Sequence, residues 1–101
     1  MMQPEPQAER FSLGRVVATA GLLRELEAEQ IAIALTHHAQ GDWGDLNHED
    51  CQANETALQH GDRVLSSYWI PSRLAADGVV RIYVITEADR STTTALLTSE
   101  Y

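Results

Sequence analysis

Residues 78–97 constrain the fold of this chain most, because they have the alternating pattern of a β-hairpin. In the first half, β-branched residues recur with a period of two, which places their side chains on one face of a strand. These residues are Val80, Ile82 and Val84. The second half, residues 91–97, is rich in threonine, which suits a half-exposed strand at a sheet edge. We therefore predict an antiparallel strand pair whose β-branched face packs on the core.

Another strand is predicted immediately before the hairpin, at residues 63–70. Its side chains alternate, and Pro71 ends it because proline has no N–H to donate to a neighbouring strand. Together with the hairpin it makes a three-stranded antiparallel meander. Residues 14–18 have a composition that can supply a fourth strand.

Residues 20–40 have a helical pattern that is interrupted once. Two sets of residues with helical spacing lie in it: Leu22, Leu23 and Leu26, then Ile31, Ala34, Leu35 and His38. The step from Leu26 to Ile31 rotates a regular helix by about 500°, so one straight helix cannot bury both sets on the same face. We predict a break within residues 27–30 and a helix end at Gly41.

A third helix is predicted over residues 49–60. Asn47 is a suitable N-cap, and Gly61 follows the last turn. Glu49 and Asp50 lie in the first turn, where carboxylates interact favourably with the helix dipole. The buried stripe of this helix is thin and consists of Cys51, Ala57 and Leu58.

These elements predict an α+β fold, in which two to three helices pack on one face of a three- or four-stranded antiparallel sheet with a C-terminal β-meander. The 101 residues suit a single domain. We assign residues 11–101 to this domain. Residues 1–10 contain two prolines and scattered charges, which predicts a flexible N-terminal arm.

The negative charge of the chain lies in its first part. The net charge is −8, and residues 1–62 hold eleven acids and three arginines, whereas residues 63–101 hold four of each. Nine carboxylates and no arginine lie between Glu25 and Asp62, and the chain contains no lysine. Such a surface repels nucleic acid and attracts basic protein patches. We expect a basic protein surface as the partner and no direct binding of nucleic acid.

The sequence predicts no catalytic residue, no metal site and no cofactor. His37 and His38 are neighbours on a helix, so they point apart and do not complete a ligand set with Asp42 or His48. We interpret these histidines as polar residues of the helix surface. Cys51 lies on a predicted buried stripe, which favours packing over catalysis.

No apolar run approaches the roughly 18 residues of a membrane span. The first residues lack the pattern of a secretory signal, and the single Cys51 fits a reducing compartment. We therefore expect a cytoplasmic protein that does not enter the membrane.

Trp43 lies in a turn-rich stretch between glycines and aspartates. Tryptophan in such a place either anchors the loop on the core or provides an exposed contact for a partner. The small size of the domain favours the core anchor.

Three stretches carry a resemblance to a known family. They are Gly41-Asp-Trp-Gly-Asp-Leu46, Ile85-Thr-Glu-Ala-Asp-Arg-Ser91 with Thr93 and Thr94, and the terminal Glu100-Tyr101. With these motifs, the chain from Phe11 onward resembles a family of small uncharacterised bacterial "plasmid-related" proteins, although Thr98 stands where proline is expected. The resemblance implies an association with mobile elements, and it transfers no catalytic residue.

The leading hypothesis is a non-enzymatic interaction protein borne by a mobile element. It would inhibit a nucleic-acid-binding host defence complex, as an anti-CRISPR or antirestriction protein does, and its carboxylates would act as a nucleic-acid mimic. The predicted partner-binding residues are Glu25, Glu29, Asp42, Trp43, Asp45, Glu49, Asp50 and Glu55.

Two alternatives remain open from the sequence. One is a small ligand-binding domain or enzyme with a site between the Trp43 loop and the C-terminal hairpin, where Asp45, His48 and Arg90 would converge. The other is a homodimer built on a sheet edge at residues 92–97.

Overall fold

The computed structural model describes residues 9–101, which form a four-stranded sheet and three α-helices. The elements in chain order are β1 (Arg15–Ala18), α1 (Ala20–Glu25), α2 (Ala28–Ala39), α3 (His48–His60), β2 (Val64–Pro71), β3 (Val79–Thr86), β4 (Thr92–Leu97) and a final 3-10 turn (Thr98–Glu100). Strands β2, β3 and β4 form the predicted antiparallel meander. The predicted α+β class is therefore confirmed.

The order of the strands, β1-β4-β3-β2, corrects the expected place of β4. This strand lies inside the sheet between β1 and β3. The edge position predicted for residues 92–97 is wrong, so β4 offers no free edge for the alternative of a homodimer built there, because both of its sides are already paired.

The fourth strand makes the sheet mixed, since β1 runs parallel to β4 with Val16 opposite Thr93. Parallel neighbours require a crossover between them in the chain. Here the three helices carry the chain from β1 to the far edge of the sheet, and the meander then returns to pair with β1. No sequence pattern indicated this pairing, because β1 is short.

Helices α1 and α2 form the main core with one face of the sheet. Ile82 and Val84 are fully buried and Val80 is half-buried, which confirms the predicted inward face of β3. The buried residues of this cluster are Leu22, Leu26, Ile31, Ala34, Ile82, Val84 and Ala95.

The break between α1 and α2 is confirmed and includes Leu26, just before the predicted range. Leu26 has an extended backbone (φ −127°, ψ 150°), and the backbone N–H of Glu27 donates to Oε1 of Gln30 at 3.0 Å. Because the helix is interrupted, Leu26 and Ile31 both reach the core, each with 6% of its surface exposed. Regular helical rotation would have prevented this.

Helix α3 packs on the beginning of β2 through a second apolar cluster. Its buried residues are Trp43, Ala57 and Val64, with Phe11, Leu46, Cys51 and Leu58 packed around them. The side chain of Asn47 accepts a hydrogen bond from the backbone N–H of Asp50 at 2.8 Å, and Gly61 ends the helix at φ 73°. Both predicted ends of this helix are confirmed within a residue.

The arm predicted for residues 1–10 lies mostly outside the described residues, which begin at Glu9. Arg10 is attached to the fold. Its backbone N–H donates to the carbonyl oxygen of Ala39 at 2.8 Å, and its guanidinium contacts Glu55. The packed part of the chain therefore begins before the predicted boundary.

Candidate functional site

The predicted partner-binding carboxylates come from several elements around β2. Glu25 and Glu29 flank the break between α1 and α2, where Gln30 Nε2 donates to the carbonyl oxygen of Pro71 at 2.8 Å at the end of β2. Glu49 and Asp50 lie in the first turn of α3, which packs on the beginning of the same strand. The acidic stretch between residues 25 and 62 therefore gives two acidic areas at separate helix starts.

Two of the predicted carboxylates are paired with arginines that come from other parts of the chain. Glu55 accepts two hydrogen bonds from the Arg10 guanidinium, at 2.9 and 2.7 Å. Asp45 Oδ2 lies 3.2 Å from Nε of Arg81, which β3 places on the sheet face opposite the helices. These pairs neutralise part of the charge that the sequence assigned to a partner.

The environment of these two carboxyls shows in their pKa values. Hydrogen bonds from Arg10 and then from Trp43 lower the pKa of Glu55 to about 2. Burial opposes the ionisation of Asp45, but the nearby Ser67 hydroxyl and the charge of Arg81 outweigh it, so the pKa of Asp45 lies below its usual value. Both carboxylates are therefore charged at neutral pH, and each is already paired with an arginine of the same chain.

Trp43 is a core anchor, as the preferred interpretation of its loop predicted. Only 5% of its surface is exposed, its ring stacks on Phe11 at 6.1 Å between ring centroids, and its Nε1–H donates to Glu55 at 3.0 Å. Its place among the partner-binding residues is therefore wrong, because a partner cannot reach the buried ring. The domain uses this aromatic area to hold α3 on the sheet.

Asp42 shapes the loop that carries Trp43. Its Oδ1 accepts from the backbone N–H of Gly44 at 3.2 Å, and its Oδ2 lies 3.0 Å from Nδ1 of His37. The hydroxyl of Tyr68 donates to the carbonyl oxygen of Asp42. Asp42 is exposed, but its carboxylate already has two partners within the loop region.

Glu29, Glu49 and Asp50 are the predicted carboxylates that remain exposed and have no ion pair among residues 9–101. Glu25 is half-buried, and the Ser72 hydroxyl, which donates to the carbonyl oxygen of Glu25 at 2.7 Å, lies 3.2 Å from its carboxylate. Of the predicted carboxylates, those in the first turns of α2 and α3 therefore remain available to a partner.

His38 is fully buried, so the prediction that it is a surface residue is wrong. The hydroxyl of Thr93 donates to the carbonyl oxygen of Leu13, so it accepts from the Thr86 hydroxyl at 2.6 Å. The Thr86 hydroxyl in turn accepts from Nε2–H of His38 at 2.9 Å. Because each hydroxyl has one hydrogen, this direction of the hydrogen bonds is the one that satisfies every group.

The other ring nitrogen of His38, Nδ1, accepts from the Ser66 hydroxyl at 2.5 Å. Both nitrogens are thus satisfied in the neutral ring, with the hydrogen on Nε2. Burial, followed by the charge of Arg90, lowers the pKa of His38 to about 4. The ring is a structural polar group of the core and has no solvent access for chemistry.

Residues 9–101 contain no group of three or more His, Cys, Asp or Glu that could hold a metal ion. Neither of the cavities described is lined by a residue of the Trp43 loop, residues 41–46, where the alternative hypothesis placed one side of a ligand site. A shallow cavity of about 720 Å³ lies between the α1–α2 break and residues 71–78, and another of about 290 Å³ lies between α2 and β2. Asp45 pairs with Arg81, and Arg90 donates to the carbonyl oxygen of Asp62 at 2.7 Å.

The edge of β2 is protected by residues that sequence reasoning missed. The side chain of Asn54 receives the backbone N–H of Leu65 at 3.1 Å and donates to its carbonyl oxygen at 2.7 Å. The backbone of residues 43–45 pairs with Ser67. The N–H of Ser67 donates to the carbonyl oxygen of Trp43 at 3.2 Å, and its carbonyl oxygen accepts from the N–H of Asp45 at 2.8 Å. An asparagine in the apolar stripe of α3 was the sequence signal for this role.

Arg81 lies on the open sheet face, where it contacts two aromatic rings. Its guanidinium carbon lies 5.8 Å from the centroid of the Trp69 ring and 5.6 Å from that of Tyr83. Trp69 has 58% of its surface exposed. The alternation of β3 predicted the direction of Arg81, but its aromatic neighbours come from another strand.

None of the helices within residues 9–101 is long and apolar enough to cross a membrane. Comparison with models of known protein families, with curated proteins and with solved structures gave no match.

Proposed function

We propose that this chain is a non-enzymatic protein that binds a basic protein surface through the acidic first turns of α2 and α3. The observation that carries the proposal is that Glu29, Glu49 and Asp50 stay exposed without an ion pair among the described residues. Exposed charges of one sign accelerate association with a surface of the opposite sign. The net charge of −8 acts in the same direction.

In the sharpest form of this proposal, the partner is a nucleic-acid-binding complex of host defence. Two acidic areas at separate helix starts can engage two basic sites that otherwise hold phosphates, as an anti-CRISPR or antirestriction protein would. The family resemblance of the sequence, with its mobile-element setting, supports this choice. Action in the cytoplasm, where such complexes operate, is part of the proposal.

The test compares two triple variants that change the net charge equally. Glu29→Gln, Glu49→Gln and Asp50→Asn remove the proposed contacts, whereas Glu9→Gln, Asp77→Asn and Glu87→Gln remove exposed carboxylates elsewhere. A partner is recovered from host lysate with the wild type, and its affinity is measured at low and high salt. We expect the first variant to bind at least about tenfold more weakly and the second to bind nearly as the wild type does.

A second arm tests the mimicry. The purified partner is bound to its own nucleic acid, and the wild-type chain is added as a competitor. Displacement that weakens at high salt supports the proposal. Equal binding by both triple variants would show that the acidic helix starts are not the contact surface. Binding to the partner without displacement of its nucleic acid would exclude nucleic-acid mimicry.

A further inference from the structure

The two edges of the sheet differ in whether their outward backbone groups have hydrogen-bond partners. At the β2 edge, Asn54 occupies the backbone groups of Leu65, residues 43–45 occupy those of Ser67, and Pro71 has no N–H to offer. Such coverage is how natural sheets prevent an edge from pairing with another strand. Of the outward positions on β2, only Trp69 is left without a described backbone partner.

The β1 edge has no such coverage among residues 9–101. The backbone N–H groups of Arg15 and Thr19 donate to β4-side carbonyls of Ser91 and Ala95, at 2.9 and 3.1 Å. Because alternate residues of a strand direct their backbone groups to opposite sides, those of Val16 and Ala18 point away from the sheet. No partner for these outward groups lies in the described part of the chain.

The side chains of β1 add apolar surface to this open edge. Val16 has 45% and Val17 has 38% of its surface exposed. An exposed edge with β-branched side chains is a template for pairing with a further strand.

We propose that two copies of this chain pair through β1, antiparallel and about a two-fold axis, and thereby join their sheets into one of eight strands. The outward residues fix the register. Val16 lies opposite Ala18 of the second copy, and Val17 lies on the two-fold axis opposite Val17 of the second copy. This register uses the outward N–H and carbonyl groups of Val16 and Ala18 in both chains, whereas a two-fold pairing centred on Val16 or on Ala18 uses fewer of them.

Charge complementarity identifies the occupant as a second copy. In this register Arg15 lies opposite Thr19 of the second copy, and alternation places both side chains on the same face. The Thr19 hydroxyl donates to Oε1 of Glu100 at 2.7 Å, so a carboxylate stands beside that position. Arg15 is exposed and has no ion pair among the described residues. The two-fold axis therefore brings Arg15 of each copy close to Glu100 of the other copy.

The small size of this interface sets its strength. It comprises one short strand from each copy, well below the surface that stable interfaces bury. The net charge of −8 on each copy also opposes association. We therefore expect a weak dimer whose population rises with protein concentration.

Sedimentation equilibrium of the full chain over a wide concentration range is the first test. Val17→Asp places two like charges on the axis, whereas Val79→Asp changes a valine of similar exposure (41%) at the start of β3. We expect the wild type and Val79→Asp to dimerise and Val17→Asp to remain monomeric, with at least a tenfold weaker association. A wild type that stays monomeric throughout, or a Val17→Asp variant that dimerises like the wild type, would overturn the proposal.

Disulfide trapping tests the register itself. Residues opposite each other at a non-hydrogen-bonded antiparallel position have Cα atoms about 4.5 Å apart, which a disulfide can bridge. Val17→Cys and Val79→Cys are each made in a Cys51→Ala background, because Cys51 is the only native thiol. We expect Val17→Cys to form a covalent dimer far faster under mild oxidation. Equal rates for the two variants would mean that the pairing is not centred on Val17.

Discussion

At the scale of single residues, His38 shows how a polar side chain becomes part of a core. Its ring is roughly perpendicular to the stacked rings of Phe11 and Trp43, with centroid distances of 5.2 and 5.9 Å. The helical spacing of His38 places it on the apolar side of α2, and hydroxyls from β2 and β3 satisfy its two nitrogens. Buried polar groups are tolerated when every donor and acceptor is paired.

The pH dependence of stability follows from the same contacts. The folded-state pKa of His38 is about 4, below its usual value of 6.5, so the unfolded chain takes up the proton first. The free energy of unfolding should therefore fall as the pH decreases from 6.5 towards 4, by about 3 kcal/mol from this residue. Urea unfolding at several pH values measures it. His38→Gln should flatten the curve in this range, and an unchanged slope would mean that other groups cause it.

At the scale of elements, the loop before α3 and the edge of β2 depend on each other. Gly44 lies at φ 77°, and a Cβ atom built on it would stand 1.8 Å from the carbonyl oxygen of Ser67. The loop can approach the strand closely enough to pair with it only without a side chain at this position. The same approach places Trp43 in the second cluster.

A pair of glycine substitutions separates this close approach from backbone strain. Gly78 has the same φ of 77°, but nothing lies within 4 Å of its Cβ position. Gly78→Ala should therefore cost only about 1 kcal/mol for the left-handed conformation, whereas Gly44→Ala should cost at least about 3 kcal/mol. Denaturant unfolding of both variants gives the comparison. Equal losses would mean that the loop moves away from β2 without consequence.

At the scale of the whole molecule, the excess of negative charge acts against folding. Fifteen acids and seven arginines give a net charge of −8, and only some of the acids are paired. Repulsion between exposed carboxylates destabilises a compact state, and salt screens it. The acidic surface therefore costs the fold some stability, which in the proposed function is offset by association with a basic partner.

Thermal unfolding at increasing salt concentration tests this balance. We expect the Tm to rise by a few °C as screening reduces the repulsion. The variant with Glu29→Gln, Glu49→Gln and Asp50→Asn should respond less, because it carries three fewer negative charges. A Tm that falls with salt would show that the Arg10–Glu55 and Arg81–Asp45 pairs contribute more than the repulsion removes.

Much of the local structure could be predicted from local signals. The alternation of β2 and β3, the interruption near Leu26, and the caps at Asn47 and Gly61 depend on residues close together in the sequence. Backbone geometry and hydrogen bonding of neighbouring residues decide such features. The candidate site was harder to predict. Glu29, Glu49 and Asp50 were among the candidates named from the sequence, but no sequence pattern indicated which of the other carboxylates would be paired with arginines.

Long-range contacts decided the rest. Arg10 reaches Glu55 across 45 residues, His38 reaches Thr86 across 48, and β1 pairs with β4 from the other end of the described chain. The sequence by itself determined the elements, the fold class and the excess of negative charge, since these follow from spacing and composition. Only the tertiary structure decided which charges remain free and which sheet edge remains open, because both depend on residues that are distant in the chain and adjacent in space.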